Sequence, residues 1–392
     1  MARQSSVADR PDARTTPPVP VPPRKRRSPV WAKALVGVGA VLLVASTGTY
    51  GVAKYAGNRY ENKAQRADLL GDAVKPAERN APPKVDGPLT FLVAGSDSRD
   101  GENANSHTAD GVYGSVGQRS DTIMLVYIPK SMDRAYVISI PRDTYTSIAD
   151  QKGTGFHGRD KINASFATGG TPSLVKTVTA LTGMKIDYPV IVDFSAVRKM
   201  TDLVGGVDVV VDRTSVDSYR MMAKGTKYPT TKCWDQTHGR YAQCLTFKKG
   251  PLHLDAELAE YYVRQRMGLP GGDLDRAKRQ QQFMRALMTK VSSSSMLTDI
   301  GKFDKLLTAG MQSLKVDKSM PVQALAFQLK SLRTSDLVFL TIPVDCCTTK
   351  PGSGSVVMPR TQEINAMFAA LRNGTIDQWM LTNKPNDVSH GA

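Results

Sequence analysis

The 392-residue chain is short of the residues that mark most catalytic scaffolds. It holds four cysteines and five histidines. No Cys-x-x-Cys pair or Cys/His ligand spacing points to zinc. The histidines, His107, His157, His238, His253 and His390, are scattered without obvious partners and read as structural or surface groups. A GxSxG elbow, a P-loop and an HExxH helix are all missing, which sets aside the common hydrolases, nucleotide-binding enzymes and metalloproteases. Acid is scarce as well: 36 Asp and Glu stand against 52 Lys and Arg, for a formal net charge of +16. Such a surplus suits a polyanionic partner, so its placement matters.

Part of that charge is a membrane signal. Between Met1 and Lys33 there are eight Lys/Arg and two Asp, with Arg24-Lys25-Arg26-Arg27 in one run. The preceding PDARTTPPVPVPP is proline-rich and polar and cannot build a core. Residues 1–29 are therefore expected to be a disordered basic tail. Between Lys33 and Lys54 lie 20 residues without a formal charge. At roughly 1.5 Å per residue that length crosses a bilayer. Glycines 37, 39, 48 and 51 suit a buried globular helix poorly, and no A-x-A cleavage site follows. Residues 30–53 are expected to form one transmembrane helix. The basic side should be cytoplasmic and the remainder extracytoplasmic, in the cell membrane as a single-pass protein. Such a placement removes most of a nucleic-acid reading, so no nucleic-acid partner is expected. Four cysteines allow three pairings. Cys233 and Cys244 flank a short loop and are the favoured pair in an oxidising compartment. Cys346 and Cys347 are adjacent, and their state is left open.

Residues 54–88 are polar, with prolines at 76, 82, 83 and 88, and read as a stalk ahead of a domain spanning 89–385. Within that domain short apolar strands alternate with helices. Strands are expected at 89–95, 121–128, 134–140, 188–194, 207–211 and 337–343. Helices are expected at 172–182, stopping at Gly183, and from an N-cap at Ser195 to Gly205-Gly206. Further helices are expected at 255–266 and 275–291 and from Arg360 to Asn373. Alternation of this kind indicates an α/β fold: a single α-β-α domain with a central mixed sheet covered by helices.

Ligands of open α/β sheets bind beyond the strand ends, and the charged groups concentrate there. Asp97 and Arg99 follow the first strand. Arg119 precedes the second, which Asp121 opens. Arg142 follows the third, and Lys161-Ile162-Asn163 comes later. If the first two strands are antiparallel neighbours, Asp97 and Asp121 reach one edge, a pair suited to a hard cation that keeps phosphate oxygens as ligands. Arg264 and Arg266 are two apart and would face apart on an ideal helix. The GLPGG break at 268–272 ends the helix and lets both turn into one cavity. Asp273 can cap the next helix, where Arg276, Arg279 and Gln280 share a face. Guanidinium forks hold phosphate bidentately and keep their charge. Lys278 reads as solvated.

The stretches GSDSR, RSDT, ISIPRD, KINASF, YYVRQR and DLDRAKRQQ, in this order over about residues 89–375, resemble the LytR-CpsA-Psr (LCP) family. The resemblance implies a membrane-anchored, extracytoplasmic phosphotransferase of Gram-positive and related bacteria. Such an enzyme moves a glycopolymer from a polyprenyl pyrophosphate carrier onto a peptidoglycan hydroxyl, forming a phosphodiester. It implies Mg²⁺ (or Mn²⁺) at Asp97 and Asp121. Pyrophosphate contacts are implied for Arg99, Arg119, Arg142, Arg264, Arg266, Arg276 and Arg279, with Asp273 beside them. The expected catalytic residues are Asp97, Asp121, Arg142 and Arg266. The Ala-, Arg- and Pro-rich N-terminus suggests a high-GC actinobacterium. Two other readings stay open: a membrane-anchored transcriptional regulator or attenuator, and a non-catalytic binder of lipid-linked glycans.

Overall fold

A computed structural model describes residues 64–75, 78, 81–96, 120–149, 158–193, 195–235, 239–291, 300–329, 332 and 334–383. The tail at 1–29 and the transmembrane segment at 30–53 lie outside the described residues. Among the described residues no helix is long and apolar enough to cross a membrane.

In chain order the elements are β1 (Gln65–Ala67), β2 (Leu89–Ser96), β3 (Ser120–Ile128), β4 (Ala135–Ile140), β5 (Tyr145–Ile148), β6 (Gly158–Lys161), α1 (Ile162–Thr182), β7 (Tyr188–Asp193), α2 (Ser195–Leu203) and β8 (Val207–Val211). Then come β9 (Ser215–Met221), β10 (Thr230–Asp235), β11 (Arg240–Phe247), β12 (Gly250–Leu254), α3 (Ala256–Arg264), α4 (Asp273–Val291), α5 (Ile300–Gln312) and β13 (Leu314–Asp317). The chain continues through α6 (Val322–Gln328), β14 (Leu337–Thr341), β15 (Val344–Lys350), β16 (Gly354–Pro359), α7 (Thr361–Arg372) and α8 (Ile376–Asn383).

Seven strands form the main sheet in the order β1-β13-β7-β2-β3-β4-β14. It is mixed: β2 runs antiparallel to β3 and β3 to β4, while β7 is parallel to β2 and β14 to β4. Side chains alternate along a strand, so each central strand feeds two cores. Phe91, Val93, Met124 and Val126 face one side, where they meet Met200, Leu258, Tyr262, Phe283 and Leu287 of α2, α3 and α4. Leu92, Ala94, Ile123 and Leu125 face the other, against Phe166, Leu174, Ile364 and Phe368 of α1 and α7. The expected three-layer α-β-α arrangement with a mixed sheet is what the chain forms.

Three boundaries differ from the sequence reading. The sheet takes in β1, which pairs in parallel with β13 and so lies inside the folded part rather than in a stalk at 54–88. Asp317 holds this edge by accepting from the Leu69 and Leu70 amides at 2.9 and 3.0 Å. Ser195 is the first residue of α2 rather than its cap. Helix α1 begins ten residues before the expected start and bends at Gly170, just before Pro172. Its end is as expected: Gly183 adopts φ 65° and returns its N–H to Thr179 O. Sequence patterning gave no assignment for β9–β12. Cys233 and Cys244 are joined across β10 and β11 with Cα atoms 5.8 Å apart. Side chains of Cys346 and Cys347 lie outside the description.

Candidate anion-binding site

Asp143 is the centre of the site, and sequence reasoning passed over it. It sits in the turn Pro141-Arg142-Asp143 that leaves β4, and only 4 % of it is exposed. Three cations from three segments converge on its carboxylate. Arg266 Nη2 lies 3.2 Å from Oδ2, Lys161 Nζ 3.4 Å from Oδ1 and Arg142 Nε 3.8 Å from Oδ1. Those four side chains sum to two positive charges, an arrangement that attracts an anion. The turn itself is clamped by backbone bonds. Ile162 N donates to Thr144 O, Asn163 N to Arg142 O and Val357 N to Asp143 O, at 2.8, 3.1 and 2.9 Å. The KIN stretch therefore starts α1 on the back of the turn that carries Arg142.

Arg266 reaches Asp143 because α3 stops in time. Asp255 caps its start by accepting from Leu258 N at 2.9 Å. At the other end Gln265 leaves the helix with ψ 128°. The chain then turns through Gly268, which has φ 76° and lies so close to Val216 of β9 that a Cβ would fall 1.9 Å from its carbonyl oxygen. Only glycine fits that turn. Asp275 closes the next helix start, accepting from Gly271 N at 2.9 Å.

A small pocket lies beside the cluster. It is lined by Thr122, Ile123, Ser139, Ile140, Pro141, Arg142, Arg276, Ala277 and Gln280. Arg142 joins pocket and cluster, and Arg276, 4 % exposed, lines the pocket from α4. Gln281 ties α4 to the sheet by donating to Ser139 Oγ at 2.6 Å and Leu340 O at 3.1 Å. Among the described residues Thr122 Oγ1 is buried without a hydrogen-bond partner, an orphaned polar atom at the pocket wall. Ladder pairing of Gly95 with Thr122 and of Ser96 with Ser120 leaves Asp121 as the extra residue of a β-bulge. Bulges are over-represented next to active sites, where they re-aim a side chain.

The expected site residues separate. Arg142 and Arg266 meet at Asp143, and Arg276 shares the pocket with Arg142. Arg264 remains on α3 and pairs with Glu260 at 2.6 Å, an (i, i+4) contact. Arg279 does not line the pocket. It is buried, donates to Gln265 Oε1 and, at 2.7 Å, to Ser215 Oγ, and lies 4.5 and 5.0 Å from the ring centroids of Tyr262 and Phe247. Burial lowers its pKa from the usual guanidinium value. Burial likewise pushes the Tyr262 hydroxyl up to about 12. These contacts hold the Gln265–Arg266 segment in place, so Arg279 supports the site rather than lining it. Lys278 is half-exposed beside Asp275, as expected. Asp97, Arg99 and Arg119 lie outside the described residues, as do the side chains of Asp121 and Asp273. Among the described residues no group of three or more metal-ligating side chains occurs.

The chain is thus a mixed α/β protein whose strand-end turn gathers Arg142, Lys161 and Arg266 around one buried carboxylate. The chain belongs to the LytR_cpsA_psr family, whose sequence profile matches residues 49–373. It is 29 % identical over 370 residues to the cell wall biosynthesis protein LcpA of Corynebacterium glutamicum. That match takes in 87 % of this chain but 65 %, less than two thirds, of the relative. It is 27 % identical over 302 residues to TagU of Bacillus subtilis, a polyisoprenyl-teichoic acid–peptidoglycan teichoic acid transferase, covering 77 % of this chain and 83 % of TagU. The crystal structure of B. subtilis TagV superposes with a TM-score of 0.52 at 26 % identity, over 75 % of this chain and 98 % of TagV.

Proposed function

We propose that the protein is a cell-wall glycopolymer phosphotransferase, moving a glycan from a polyprenyl pyrophosphate carrier to a peptidoglycan hydroxyl. The observation that carries this is the convergence of Arg142, Lys161 and Arg266 on buried Asp143, beside a pocket walled by Arg276. Family membership and the transferase activity named for TagU support it. Phosphoryl transfer asks a protein mainly for positioning and charge neutralisation. Arg142, Arg266 and Arg276 would bind the pyrophosphate oxygens, and Lys161 would add charge behind them. The acceptor hydroxyl attacks the phosphorus that carries the glycan. The bond from that phosphorus to the bridging oxygen breaks, and polyprenyl phosphate leaves with the electron pair. Asp97 or Asp121 would take the hydroxyl proton.

Asp97 and Asp121 would hold Mg²⁺ or Mn²⁺. The bulge at Asp121 and the orphaned Thr122 hydroxyl next to it fit an oxygen-rich ligand set there. When bound, the ion supplies charge neutralisation on the phosphate oxygens. In this reading residues 30–53 anchor the chain, with the folded part outside the membrane; the basic run before the anchor and the Cys233–Cys244 disulfide both support that side. Arg142→Ala and Arg266→Ala are each expected to lower transfer about 100-fold or more, with thermal unfolding little changed. Wild-type turnover by both variants would reject the assignment.

A further inference from the structure

The small sheet β9–β11–β10 carries exposed aromatic rings that the chemistry above leaves unused. Trp234 of β10 and Tyr241 of β11 are direct cross-strand partners. They are 50 % and 65 % exposed, and their ring centroids lie 5.1 Å apart in an edge-to-face contact. Lys232 Nζ sits 4.5 Å from the Tyr241 ring centroid. Tyr219 of β9 is exposed too. The hairpin is preorganised from behind. Cys233 and Cys244 oppose Ala242 and Thr231, and alternation places them on the reverse face, where the disulfide fastens the two strands. From Tyr219 to Gln243 the sequence holds five Lys/Arg and one Asp.

The sheet is joined to the candidate site. Ser215 of β9 bonds both Arg279 and Gln265, and Val216 packs on Gly268 of the loop that presents Arg266. Along β11, Phe247 lies under Arg279, and Tyr241 is six residues away, about 20 Å at ~3.3 Å per residue. A polymer resting on the rings is thus about 20 Å along β11 from Arg279, which braces the loop that presents Arg266.

We propose that this face docks the glycan strand of the peptidoglycan acceptor, a proposal that rests on the acceptor assigned above. Pyranose C–H groups carry partial positive charge and pack on the electron-rich faces of Trp and Tyr. Peptidoglycan stem peptides bear carboxylates, and the surrounding lysines and arginines carry the opposite charge. A lipid surface fits less well. The exposed large apolar residues of this sheet are all aromatic with a polar tip, whereas an acyl-inserting surface needs aliphatic ones. The exposed aliphatics among the described residues, Val210, Met267 and Leu381, lie outside this sheet.

The test is co-sedimentation of the full chain, in detergent, with insoluble peptidoglycan sacculi stripped of attached polymer. Trp234→Ala with Tyr241→Ala should weaken binding about tenfold, the effect of losing paired aromatic anchors. Trp234→Phe with Tyr241→Phe should retain it, because the ring faces remain. Arg266→Ala should bind sacculi like wild type. Transfer that survives Arg266→Ala would strike the proposed chemistry while leaving the binding result in place, so the two failures are distinguishable. Wild-type sacculus binding by the double alanine variant, or no binding by wild type, would overturn the proposal. So would dimers in light scattering that the alanine pair dissociates. A second arm reconstitutes a Trp31→Phe, Trp379→Phe chain, whose sole tryptophan is Trp234, into vesicles of brominated phosphatidylglycerol. Unquenched Trp234 fluorescence is expected; strong quenching would mean a membrane contact and overturn the glycan assignment.

Discussion

Replacing Asp143 by asparagine removes one negative charge from the point where three cations meet. The side chain keeps its size and one oxygen acceptor, so the turn held by Ile162, Asn163 and Val357 should persist. Arg142, Lys161 and Arg266 lose the carboxylate at 3.8, 3.4 and 3.2 Å that balances their mutual repulsion. Breaking a fully buried ion pair destabilises by about 3–5 kcal/mol, but the three cations reach solvent in part, so about 2 kcal/mol is the expected loss here. The functional effect is larger. Displacing a positioned group by about 1 Å can lower a rate about 100-fold. The net positive charge rises, so donor binding should hold or tighten while turnover falls. The assay is transfer of labelled glycan from its polyprenyl carrier to peptidoglycan, with kcat and donor KM separated, alongside urea unfolding. A kcat about 100-fold lower with donor KM unchanged or reduced is expected. An unchanged kcat would show that Asp143 does not position the arginines.

Gly268→Ala combines a φ of 76° with a 1.9 Å approach to the Val216 carbonyl, and should destabilise by about 2 kcal/mol or more while loosening Arg266. Urea unfolding and donor binding check both effects. Asp255→Ala removes the cap of α3 and should destabilise by roughly 1 kcal/mol at pH 7. Burial raises the Asp255 pKa, but Lys227, the Leu258 amide and Tyr228 outweigh it and leave the carboxyl below its ordinary value. A depressed folded pKa stabilises above the unfolded pKa near 4 and loses that contribution as pH falls through the folded value. The gap between wild type and variant should therefore narrow below about pH 4 in parallel unfolding titrations.

Strands β2, β3, β4, β7 and β14 of the main sheet were legible because they are buried on both faces, so LTFLVAG and DTIMLVYI are continuous apolar runs. Edge strand β1 was not: it is QRA, polar and three residues long, and its pairing with β13 joins residues 250 apart. The strands β9–β12 were hidden for a related reason. β9, β10 and β11 form a small, polar, half-exposed sheet where alternation is weak, and β12 pairs with β8 in a separate two-stranded sheet. At the site, the helix break was read as turning both Arg264 and Arg266 into one cavity, whereas Arg266 alone of the two is seen to reach Asp143. The (i, i+4) partner Glu260, which keeps Arg264 on the helix, was visible in the spacing. Asp143 was readable as the one acid directly after Arg142, yet its role depends on Lys161 and Arg266 arriving from distant segments. Arg279 was read as facing the pocket because helical spacing cannot show Phe247 of β11 and Tyr262 of α3 packed against it.

The proposed transfer breaks a phosphorus–oxygen bond inside the pyrophosphate. The most direct measurement is the mass of the lipid product released when the purified chain transfers a glycan from a polyprenyl pyrophosphate carrier to peptidoglycan. Polyprenyl monophosphate, with one phosphate retained between glycan and peptidoglycan, is expected. Polyprenyl pyrophosphate, left by cleavage at the sugar carbon, would refute transfer at phosphorus.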